Sequence, residues 1–254
     1  MSKIIAVVNQ KGGVGKTTTA INLASAISSA RNRVLLIDLD PQGNTSTGMG
    51  VAQKNRWLNS YNLLLDDIHP SKVIKKTNIP NLDLIAANVD LSGAELELIN
   101  QISRESVLKN KIDMVTNDYD YIFIDCPPSL SILTINALTA ASSVLVPLQC
   151  EFFALEGLTH LLKTINLVQK KLNPKLAIEG VLLTMYDRRY NLTAQVEADV
   201  RAHLGDLVFK VVIPRNVRMS EAPSHGKPAI IYDYKCIGSL AYIELAKELL
   251  ERNK

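Results

Sequence analysis

Cysteine, histidine and aromatic residues are all scarce in this sequence of 254 residues. Its three cysteines, Cys126, Cys150 and Cys236, are too far apart to form a Cys-x-x-Cys pair, so neither a zinc motif nor a redox motif is supported. The four histidines do not cluster into a metal site either. Buried, reduced thiols are therefore expected, as in a cytosolic protein. The formal net charge of +3 is too small to identify a binding partner by itself.

Long hydrophobic runs of the kind that cross membranes are also missing. Residues 126–150 carry no charge, but prolines and polar side chains interrupt them, whereas a spanning helix needs about 20 predominantly apolar residues. A buried helix over 131–141 followed by a buried strand over 144–148 fits this stretch better. No signal peptide is visible, because the first predicted strand begins at Ile4. We therefore expect a cytoplasmic protein without stable membrane association.

The domain organisation is indicated by the segments between the predicted strands and helices. No Gly-, Ser- or Pro-rich linker, internal repeat or low-complexity tract interrupts the chain. Short apolar runs typical of buried strands alternate with helical spacings throughout. The sequence therefore predicts an α/β fold: one domain over residues 1–254, with a single doubly wound, mostly parallel sheet flanked by helices.

The first strand and the first helix enclose a glycine-rich loop. Ile4–Val8 is a short β-branched apolar run, and Thr17–Ala30 has apolar residues at helical spacing. The connecting segment matches a variant phosphate-binding loop, with Gln10 in place of the usual first glycine. Its predicted ligand-binding residues are Lys11, Gly12, Gly13, Val14, Gly15, Lys16, Thr17 and Thr18. This strand–loop–helix context predicts that the protein binds a nucleoside triphosphate.

The residues of this loop have distinct predicted tasks. The glycines allow backbone N–H groups to converge on phosphates at the positive end of a helix. Lys16 would contact the β- and γ-phosphates, and the Thr17 hydroxyl would hold Mg²⁺. Lys11 is a second lysine with two open interpretations. It is either a solvated loop residue or a charge that reaches phosphate from another direction, including the nucleotide of a second subunit.

Carboxylates follow two further predicted strands. Asp38 and Asp40 end the apolar run that starts at Val34, and Asp125 ends the run that starts at Tyr121. Ligands of open parallel sheets lie beyond the carboxyl ends of the strands, so these acids are expected near the phosphates. Asp125 has the form of a Walker B aspartate that holds Mg²⁺. Alternation would send Asp38 and Asp40 to one face, one toward Mg²⁺ and the other toward the attacking water, although one of them could instead cap the following turn. The residues expected to hold Mg²⁺ are Thr17, Asp38 and Asp125.

Basic residues gather in the last third of the chain. Arg188 and Arg189 form one cluster, and the segment between Leu207 and Pro228 has four basic residues against one acid. Such a run is usually a solvated surface, and no aromatic residues interleave the basic ones for base stacking on single strands. The turn with Pro214 and Asn216 has two open interpretations: an adenine contact through the Asn216 amide, or a plain turn.

Together these motifs resemble one family. The loop Lys11–Thr18, the acidic segment Asp38–Gln42 and the segment Asp125–Ser129 resemble the deviant Walker A ATPases, and three further stretches make the resemblance specific to the ParA/Soj chromosome-partitioning ATPases. Those stretches are Glu151–Leu158, Gly180–Met185 and Ile213–Ser224. The resemblance runs nearly end to end. One departure lies in the turn 31–33, where the family often has glycine; Asn32 tolerates the left-handed conformation that a helix C-terminus needs.

The resemblance implies an activity and partners. In this family the signature lysine, here Lys11, crosses to the partner's ATP in a homodimer with ATP at the interface, and the aspartate needed for hydrolysis would be Asp40. Double-stranded DNA is bound without sequence preference, here through Arg189, Arg218 and Lys227, so the protein would associate with the nucleoid. Hydrolysis is slow and is stimulated by a ParB-type centromere-binding partner. The early first strand leaves no room for the N-terminal helix-turn-helix domain of larger relatives.

Three other functions remain open at the level of sequence. A MinD-like membrane-cycling ATPase should end in a basic amphipathic helix, but acids and bases are mixed over residues 241–254. A metabolic ligase would use ATP to activate a carboxylate and would need a small-substrate pocket that no motif announces. A catalytically silent nucleotide-binding scaffold is disfavoured, because both Asp40 and Asp125 are present.

Overall fold

A computed structural model describes residues 2–253, so Met1 and Lys254, the ends of the domain expected over residues 1–254, lie outside the described residues. Within these, seven strands form one sheet with the spatial order β3-β4-β2-β5-β1-β6-β7. The strands are β1 Lys3–Val7, β2 Val34–Asp38, β3 Ile74–Lys76, β4 Leu82–Ile85, β5 Tyr121–Asp125, β6 Ser143–Gln149 and β7 Ala177–Thr184. β3 is antiparallel to β4, and the other pairs are parallel. The predicted doubly wound, mostly parallel sheet is confirmed.

Helices connect the strands and cover the sheet. Their bounds are α1 Lys16–Ser29, α2 Asn44–Gly48, α3 Ser60–Leu65, α4 Leu91–Leu98, α5 Val107–Asp113, α6 Ile132–Ala140, α7 Ala154–Lys171, α8 Asn191–Leu204, α9 Val217–Glu221, α10 Ala229–Tyr232 and α11 Ile237–Arg252. The helix and strand predicted over 131–141 and 144–148 are α6 and β6. Among residues 2–253, no helix has the length and apolar character needed to cross a membrane.

Central strands contribute to two hydrophobic cores, one on each face of the sheet. In β2, Leu35 and Ile37 are buried in one core, whereas Val34 and Leu36 are buried in the other. Successive side chains of a strand point to opposite faces, so a strand that is covered on both sides is apolar throughout. This explains why the strands appear in the sequence as continuous apolar runs.

The last helix, α11, packs on the core. Tyr242, Leu245 and Leu249 are almost completely buried in the same core as the apolar residues of α1. The hydroxyl of Tyr242 also lies 3.0 Å from the Thr19 hydroxyl of α1, within hydrogen-bond distance. The apolar residues in the second half of α11 are therefore packed within the fold, whereas Ile237 and Leu240 near its start are exposed.

The turn between α1 and β2 corrects one prediction. Arg31, and not Asn32, adopts the left-handed conformation, with a φ of 66°. Asn32 uses its side chain instead, because its Nδ2 donates to Ile27 O at 3.2 Å. Asparagine is only statistically favoured at positive φ, and here its amide satisfies one of the carbonyl groups that a helix leaves unpaired at its C-terminus.

The three cysteines are free thiols. Cys126 and Cys150 are buried, and burial raises the pKa of both thiols. Cys236 is only half-buried, and its Sγ accepts a hydrogen bond from Ser239 N at the start of α11. The prediction of buried thiols therefore holds for two of the three.

The register of the strands brings the predicted acids together. Val7 of β1 pairs with Asp125 of β5, and Asp38 of β2 pairs with Asp125 from the other side. The glycine-rich loop follows β1 directly, so the loop and the two acids meet at the carboxyl edge of the sheet. This edge is where open α/β sheets bind their ligands.

Candidate nucleotide site

The glycine-rich loop has the backbone that its sequence requires. Gly13 and Gly15 have φ values of 75° and 88°, which side chains with a Cβ rarely adopt. Gly15 is also the N-cap of α1, so the positive end of this helix faces the loop. On the opposite side, Thr184 Oγ1 donates to Val14 O at 2.8 Å and ties the loop to the end of β7. The loop is therefore a fixed backbone cradle suited to an anion.

A cavity of about 460 Å³ opens in front of this loop. Six of the predicted phosphate-binding residues line it, namely Gly12, Gly13, Gly15, Lys16, Thr17 and Thr18. An adjoining cavity of about 300 Å³ is lined by Pro214 and Asn216, and Met185 and Gly15 line both. Volumes in this range are typical of small-molecule sites. Two adjoining spaces suit a ligand with a phosphate end and a second end that fills the smaller cavity.

Lys16 lies close to the loop's own backbone. Its side chain is largely buried, and Nζ donates to Lys11 O at 3.0 Å. Burial lowers the pKa of Lys16, while the nearby charges of Asp125 and Asp40 act in the opposite direction. A buried ammonium beside open glycine amides supplies the positive charge that a polyphosphate needs.

Asp125 lies at the centre of the polar contacts of the site. Its Oδ2 accepts hydrogen bonds from Thr17 Oγ1 at 2.8 Å and from Thr45 Oγ1 at 2.7 Å. Its Oδ1 is buried and has no hydrogen-bond partner within residues 2–253. Burial, together with the smaller effect of the neighbouring Asp38 charge, raises the pKa of Asp125 to about 7. An unpartnered, buried carboxylate oxygen next to a threonine hydroxyl fits a hard cation such as Mg²⁺.

The protein offers few ligands of its own for such a cation. In the described part of the chain, no group of three or more His, Cys, Asp or Glu side chains is arranged to hold a metal ion. Mg²⁺ commonly binds through one or two protein oxygens plus substrate phosphates and water. Thr17 and Asp125 therefore fit a cation that arrives with a nucleotide, and they fit a permanent metal centre poorly.

Asp38 has a different environment from the one predicted. It is completely buried, and its Oδ2 accepts hydrogen bonds from Ser46 N at 2.8 Å and from Ser46 Oγ at 2.6 Å. Its Oδ1 accepts from Asp40 N at 3.2 Å. Burial raises the pKa of Asp38 to about 6. Both oxygens are thus engaged, so the geometry favours an anchor for the loop after β2 over the predicted Mg²⁺ ligand.

Asp40, unlike Asp38, lines the cavity. The two acids were expected on one face, but β2 ends at Asp38, so strand alternation does not extend to Asp40. Asp40 Oδ1 accepts a hydrogen bond from Gln42 N at 2.9 Å, which fixes the carboxylate in the turn. Asp40 is the acid of this pair that can face a bound phosphate and its attacking water.

Lys11 has a partner outside the cavity. Its Nζ donates to the Glu151 carboxylate, and both side chains are about half exposed, at 50% and 44%. Its backbone N donates to Asn9 Oδ1 at 3.0 Å, which fixes the start of the loop. Neither Lys11 nor Glu151 lines the cavity that the loop forms. The lysine side chain therefore projects from the loop at an accessible edge.

Asn216 caps a helix. Its backbone is extended, and its Oδ1 accepts a hydrogen bond from Arg218 N at 2.9 Å at the start of α9, so the local structure is a helix N-cap. Pro214 and Asn216 also line the second cavity, next to the one that contains the glycine-rich loop. This position would allow Asn216 to contact an adenine, and that contact stays a prediction.

The predicted DNA-binding arginines are exposed and paired with acids. Arg189 Nε and Nη2 donate to the two carboxylate oxygens of Asp187 at 2.9 and 2.6 Å. Arg218 pairs with Glu221 at 2.8 Å and with Asp233 at 3.5 Å. The Arg218 pairs are partly exposed on both sides and contribute little to stability, so a phosphate can replace those carboxylates at small cost. Arg189 is itself 81% exposed, but its partner Asp187 is only 9% exposed, so a phosphate would have to bind Arg189 beside that carboxylate.

The three predicted DNA contacts do not share one environment. The segments that carry Arg189 and Arg218 are joined by backbone hydrogen bonds, including Tyr186 N to Ile213 O at 2.9 Å. Lys227, by contrast, lines the nucleotide cavity. A lysine at that wall is as well suited to a phosphate of the nucleotide as to one of DNA.

Sequence reasoning gave no role to Thr45, Ser46 or Glu151. Thr45 and Ser46 hold Asp125 and Asp38, and a run of hydroxyl residues after Gly43 is the only sequence signal for them. Glu151 lies just after the carboxyl end of β6, the position that singled out Asp125. The pattern that pointed to Asp125, an acid at the carboxyl end of a buried strand, therefore points to Glu151 as well.

Comparison with known proteins gives consistent similarities. A family model described as an AAA domain matches residues 2–178. The chromosome partitioning protein ParA of Caulobacter vibrioides (strain NA1000 / CB15N) is 54% identical over 254 residues, covering 99% of this chain and 95% of that protein. The sporulation initiation inhibitor protein Soj of Bacillus subtilis (strain 168) is 55% identical over 249 residues, covering 98% of each.

Solved structures show the same architecture. The cobyrinic acid a,c-diamide synthase from Mycobacterium smegmatis, solved with bound ADP and magnesium, matches with a TM-score of 0.87 and 40% identity. The match covers 99% of this chain and 95% of that chain. The similarity therefore includes every element that builds the cavity.

Proposed function

This chain belongs to the ParA/Soj family of chromosome-partitioning ATPases, and from that premise we propose that it is an ATP-dependent dimeric switch that binds DNA without sequence preference. It hydrolyses ATP and uses Mg²⁺. The switch would consist of a homodimer with ATP at its interface, would bind DNA nonspecifically, and would be stimulated by a ParB-type partner. One ATPase domain over residues 1–254, associated with the nucleoid in the cytoplasm, would suffice for all three.

The orientation of Lys11 is the observation that supports the proposal most directly. A loop lysine that served only its own nucleotide would point into the cavity, as Lys16 does. Lys11 instead contacts Glu151 outside the cavity wall, with half of its side chain accessible. An ammonium at this edge can reach the phosphates of a second subunit, where an inserted positive charge is worth roughly 10³–10⁵ in rate.

The remaining residues divide the work of hydrolysis. Lys16 and the loop amides bind and orient the triphosphate, and Asp40 orients the attacking water at the cavity wall. Thr17 and Asp125 would hold Mg²⁺, which neutralises charge on the phosphate oxygens when it is bound.

DNA binding by this switch would depend on dimerisation. A patch of two arginines, Arg189 and Arg218, makes few phosphate contacts and binds weakly at cellular salt. Two such patches joined in one dimer bind far more tightly through multivalency. ATP would therefore control DNA affinity by controlling the dimer, and a ParB-type partner would end the DNA-bound state by stimulating hydrolysis.

ATP turnover with and without double-stranded DNA tests the proposal in one experiment. Wild type should be stimulated by DNA, and Arg218→Ala should keep the basal rate but lose the stimulation. Stimulation that is equal in both proteins would contradict the DNA surface. Stimulation that is absent in wild type would contradict the link between DNA and the nucleotide cycle.

A second candidate is a ligase that activates a carboxylate with ATP. It is supported by the 40% identity to an enzyme described as cobyrinic acid a,c-diamide synthase. The partitioning relatives are more similar, at 54% and 55%. ADP formation that depends on cobyrinic acid and an amide donor, and that ignores DNA, would favour the ligase.

A MinD-like membrane cycle is the third candidate. It needs a C-terminal helix with a free apolar face, and α11 buries Tyr242, Leu245 and Leu249 in the core. We therefore propose that the protein has no stable membrane association. Sedimentation with anionic liposomes and ATP should leave it in the supernatant.

A further inference from the structure

Arg56 is a buried cation beside the site. It follows a short helical turn at residues 53–55 and is only 2% exposed. Its Nε and Nη2 donate to Val51 O at 2.9 and 2.6 Å, and Nη2 also donates to Thr47 Oγ1 at 2.8 Å. Its Nη1 donates to Gly43 O at 3.1 Å and to Ala87 O at 3.2 Å. Among the described residues, all the acceptors of the Arg56 guanidinium are therefore uncharged carbonyl or hydroxyl oxygens, and no carboxylate accepts from it.

These acceptors identify what Arg56 holds. Gly43, Thr47 and Val51 belong to one segment, residues 43–51, which contains α2. Ala87 follows β4, so it provides a fixed point on the sheet. Arg56 therefore fastens both ends of the segment 43–51 to the edge of the sheet.

The segment 43–51 supplies contacts within the active site. Thr45 Oγ1 donates to Asp125 Oδ2 at 2.7 Å. At the start of the segment, Gly43 N donates to Asp40 O at 2.9 Å. Displacement of this segment would therefore move both the hydroxyl on Asp125 and the turn that presents Asp40.

We propose that Arg56 is a positioning residue for ATP hydrolysis: it fixes the segment 43–51 so that Asp40 and Thr45 keep their places around the phosphates. Arg56 does not line the nucleotide cavity, so it acts through these residues without contacting the nucleotide. The inference rests on the proposed role of Asp40 in hydrolysis.

The geometry explains why this position needs arginine. A lysine has three donors at one point, whereas the arginine fork reaches three separate carbonyl groups at once. The fit is tight on the opposite side as well, because a Cβ on Gly43 would lie 2.5 Å from Arg56 Nη1. Gly43 also has a φ of 63°, which favours glycine.

The test compares Arg56→Lys with Arg201→Lys, a matched control in another part of the fold. Arg201 is a half-buried arginine of α8 that donates to Phe209 O at 3.1 Å and pairs with Glu197. Both variants lose carbonyl contacts, and both can lower the thermal midpoint. Only Arg56→Lys should lower kcat, by about tenfold or more, with KM for ATP nearly unchanged, because misplacement by about 1 Å can cost about a hundredfold in rate.

A double mutant tests the route of the effect. Thr45→Ala should lower kcat, and adding it to Arg56→Lys should cause little further loss, because both changes break the same arrangement. If Arg56→Lys does not fold, Gly43→Ala disturbs the same contact from the loop side and should lower kcat in its place.

The outcomes separate this inference from the proposed function. A folded Arg56→Lys or Gly43→Ala protein with wild-type kcat overturns the inference, as does an equal loss in Arg201→Lys. Asp40→Ala is measured in the same assay with DNA present. Normal turnover in Asp40→Ala would contradict the role proposed for Asp40, and with it the route through Arg56; lost turnover with an active Arg56→Lys would contradict Arg56 alone.

Discussion

The Lys11 ammonium is ion-paired with the carboxylate of Glu151, so the second lysine of the phosphate-binding loop is held outside the cavity that the loop forms. The pair joins the start of the loop to the segment after β6. Both side chains are about half exposed, and pairs this exposed are weak and easily exchanged. Lys11 is therefore available to another anion at this edge.

Removing the partner of Lys11 should favour the dimer. Glu151→Gln keeps the shape of the side chain but removes the charge that holds Lys11 in the monomer. We expect the ATP-dependent dimer to form at a protein concentration lower by up to a few-fold, as expected for loss of an exposed pair. Analytical ultracentrifugation across a concentration series measures this. A weaker dimer in Glu151→Gln would mean that Glu151 acts across the interface and not as a competitor.

Asp40 and Asp38 should fail in different ways when they are replaced. Asp40→Ala should fold normally and bind ATP but lose about a hundredfold or more of the DNA- and partner-stimulated turnover, since it removes the group proposed to orient water. Asp38→Ala should lower the free energy of unfolding by about 1–3 kcal/mol, because it leaves the buried donors of Ser46 unpaired. Urea denaturation and ATPase assays on both variants separate the two roles. Lost turnover in a stable Asp38→Ala protein, together with lost stability in Asp40→Ala, would mean that the two roles are the other way round.

Without nucleotide, the stability of the protein should fall as pH rises toward neutrality. The folded protein raises the pKa of Asp125 from its ordinary value of 3.8 to about 7. Between these values the folded state keeps a proton that the unfolded state has lost, so the free energy of unfolding decreases as pH rises. Asp38, with a pKa raised to about 6, acts in the same direction.

Urea denaturation between pH 4 and pH 8 checks this dependence, with Asp125→Asn as the control. The variant should show a shallower pH dependence than wild type. Mg²⁺–ATP binding near pH 6 should also release protons, because the cation requires the ionised carboxylate. Identical pH profiles for the two proteins would mean that Asp125 is ionised throughout in the folded state.

DNA affinity should depend on Arg189 and Arg218 but not on other exposed, ion-paired basic residues. Arg189→Ala and Arg218→Ala should each weaken ATP-dependent DNA binding and reduce its salt dependence, because each removes a phosphate contact. Lys109→Ala is the matched control, since Lys109 pairs with Asp113 on the surface of α5. Filter binding at several salt concentrations gives both quantities. If Lys109→Ala weakened DNA binding as much as Arg218→Ala, the DNA affinity would depend on the net charge of the protein and not on a surface formed by Arg189 and Arg218.

The sequence predicted those parts of the site that depend on local spacing. The glycine-rich loop and Asp125 were found because a buried strand followed directly by glycines or by an acid is typical of a phosphate or Mg²⁺ site at a sheet edge. The burial of Asp38 was missed, because its partner Ser46 lies on a helix whose position depends on the whole fold. The five hydrogen bonds of Arg56 reach the segment 43–51 and Ala87, and no local pattern encodes them.

The central claim is that Lys11 links ATP to the dimer, and the mass of the protein with and without ATP tests it most directly. Sedimentation velocity should show wild type at twice the mass of the chain with Mg²⁺–ATP and at the mass of one chain without nucleotide. Lys11→Ala should stay at the mass of one chain in both conditions while still binding ATP through Lys16. A Lys11→Ala protein that reaches the dimer mass with ATP as readily as wild type would contradict the account.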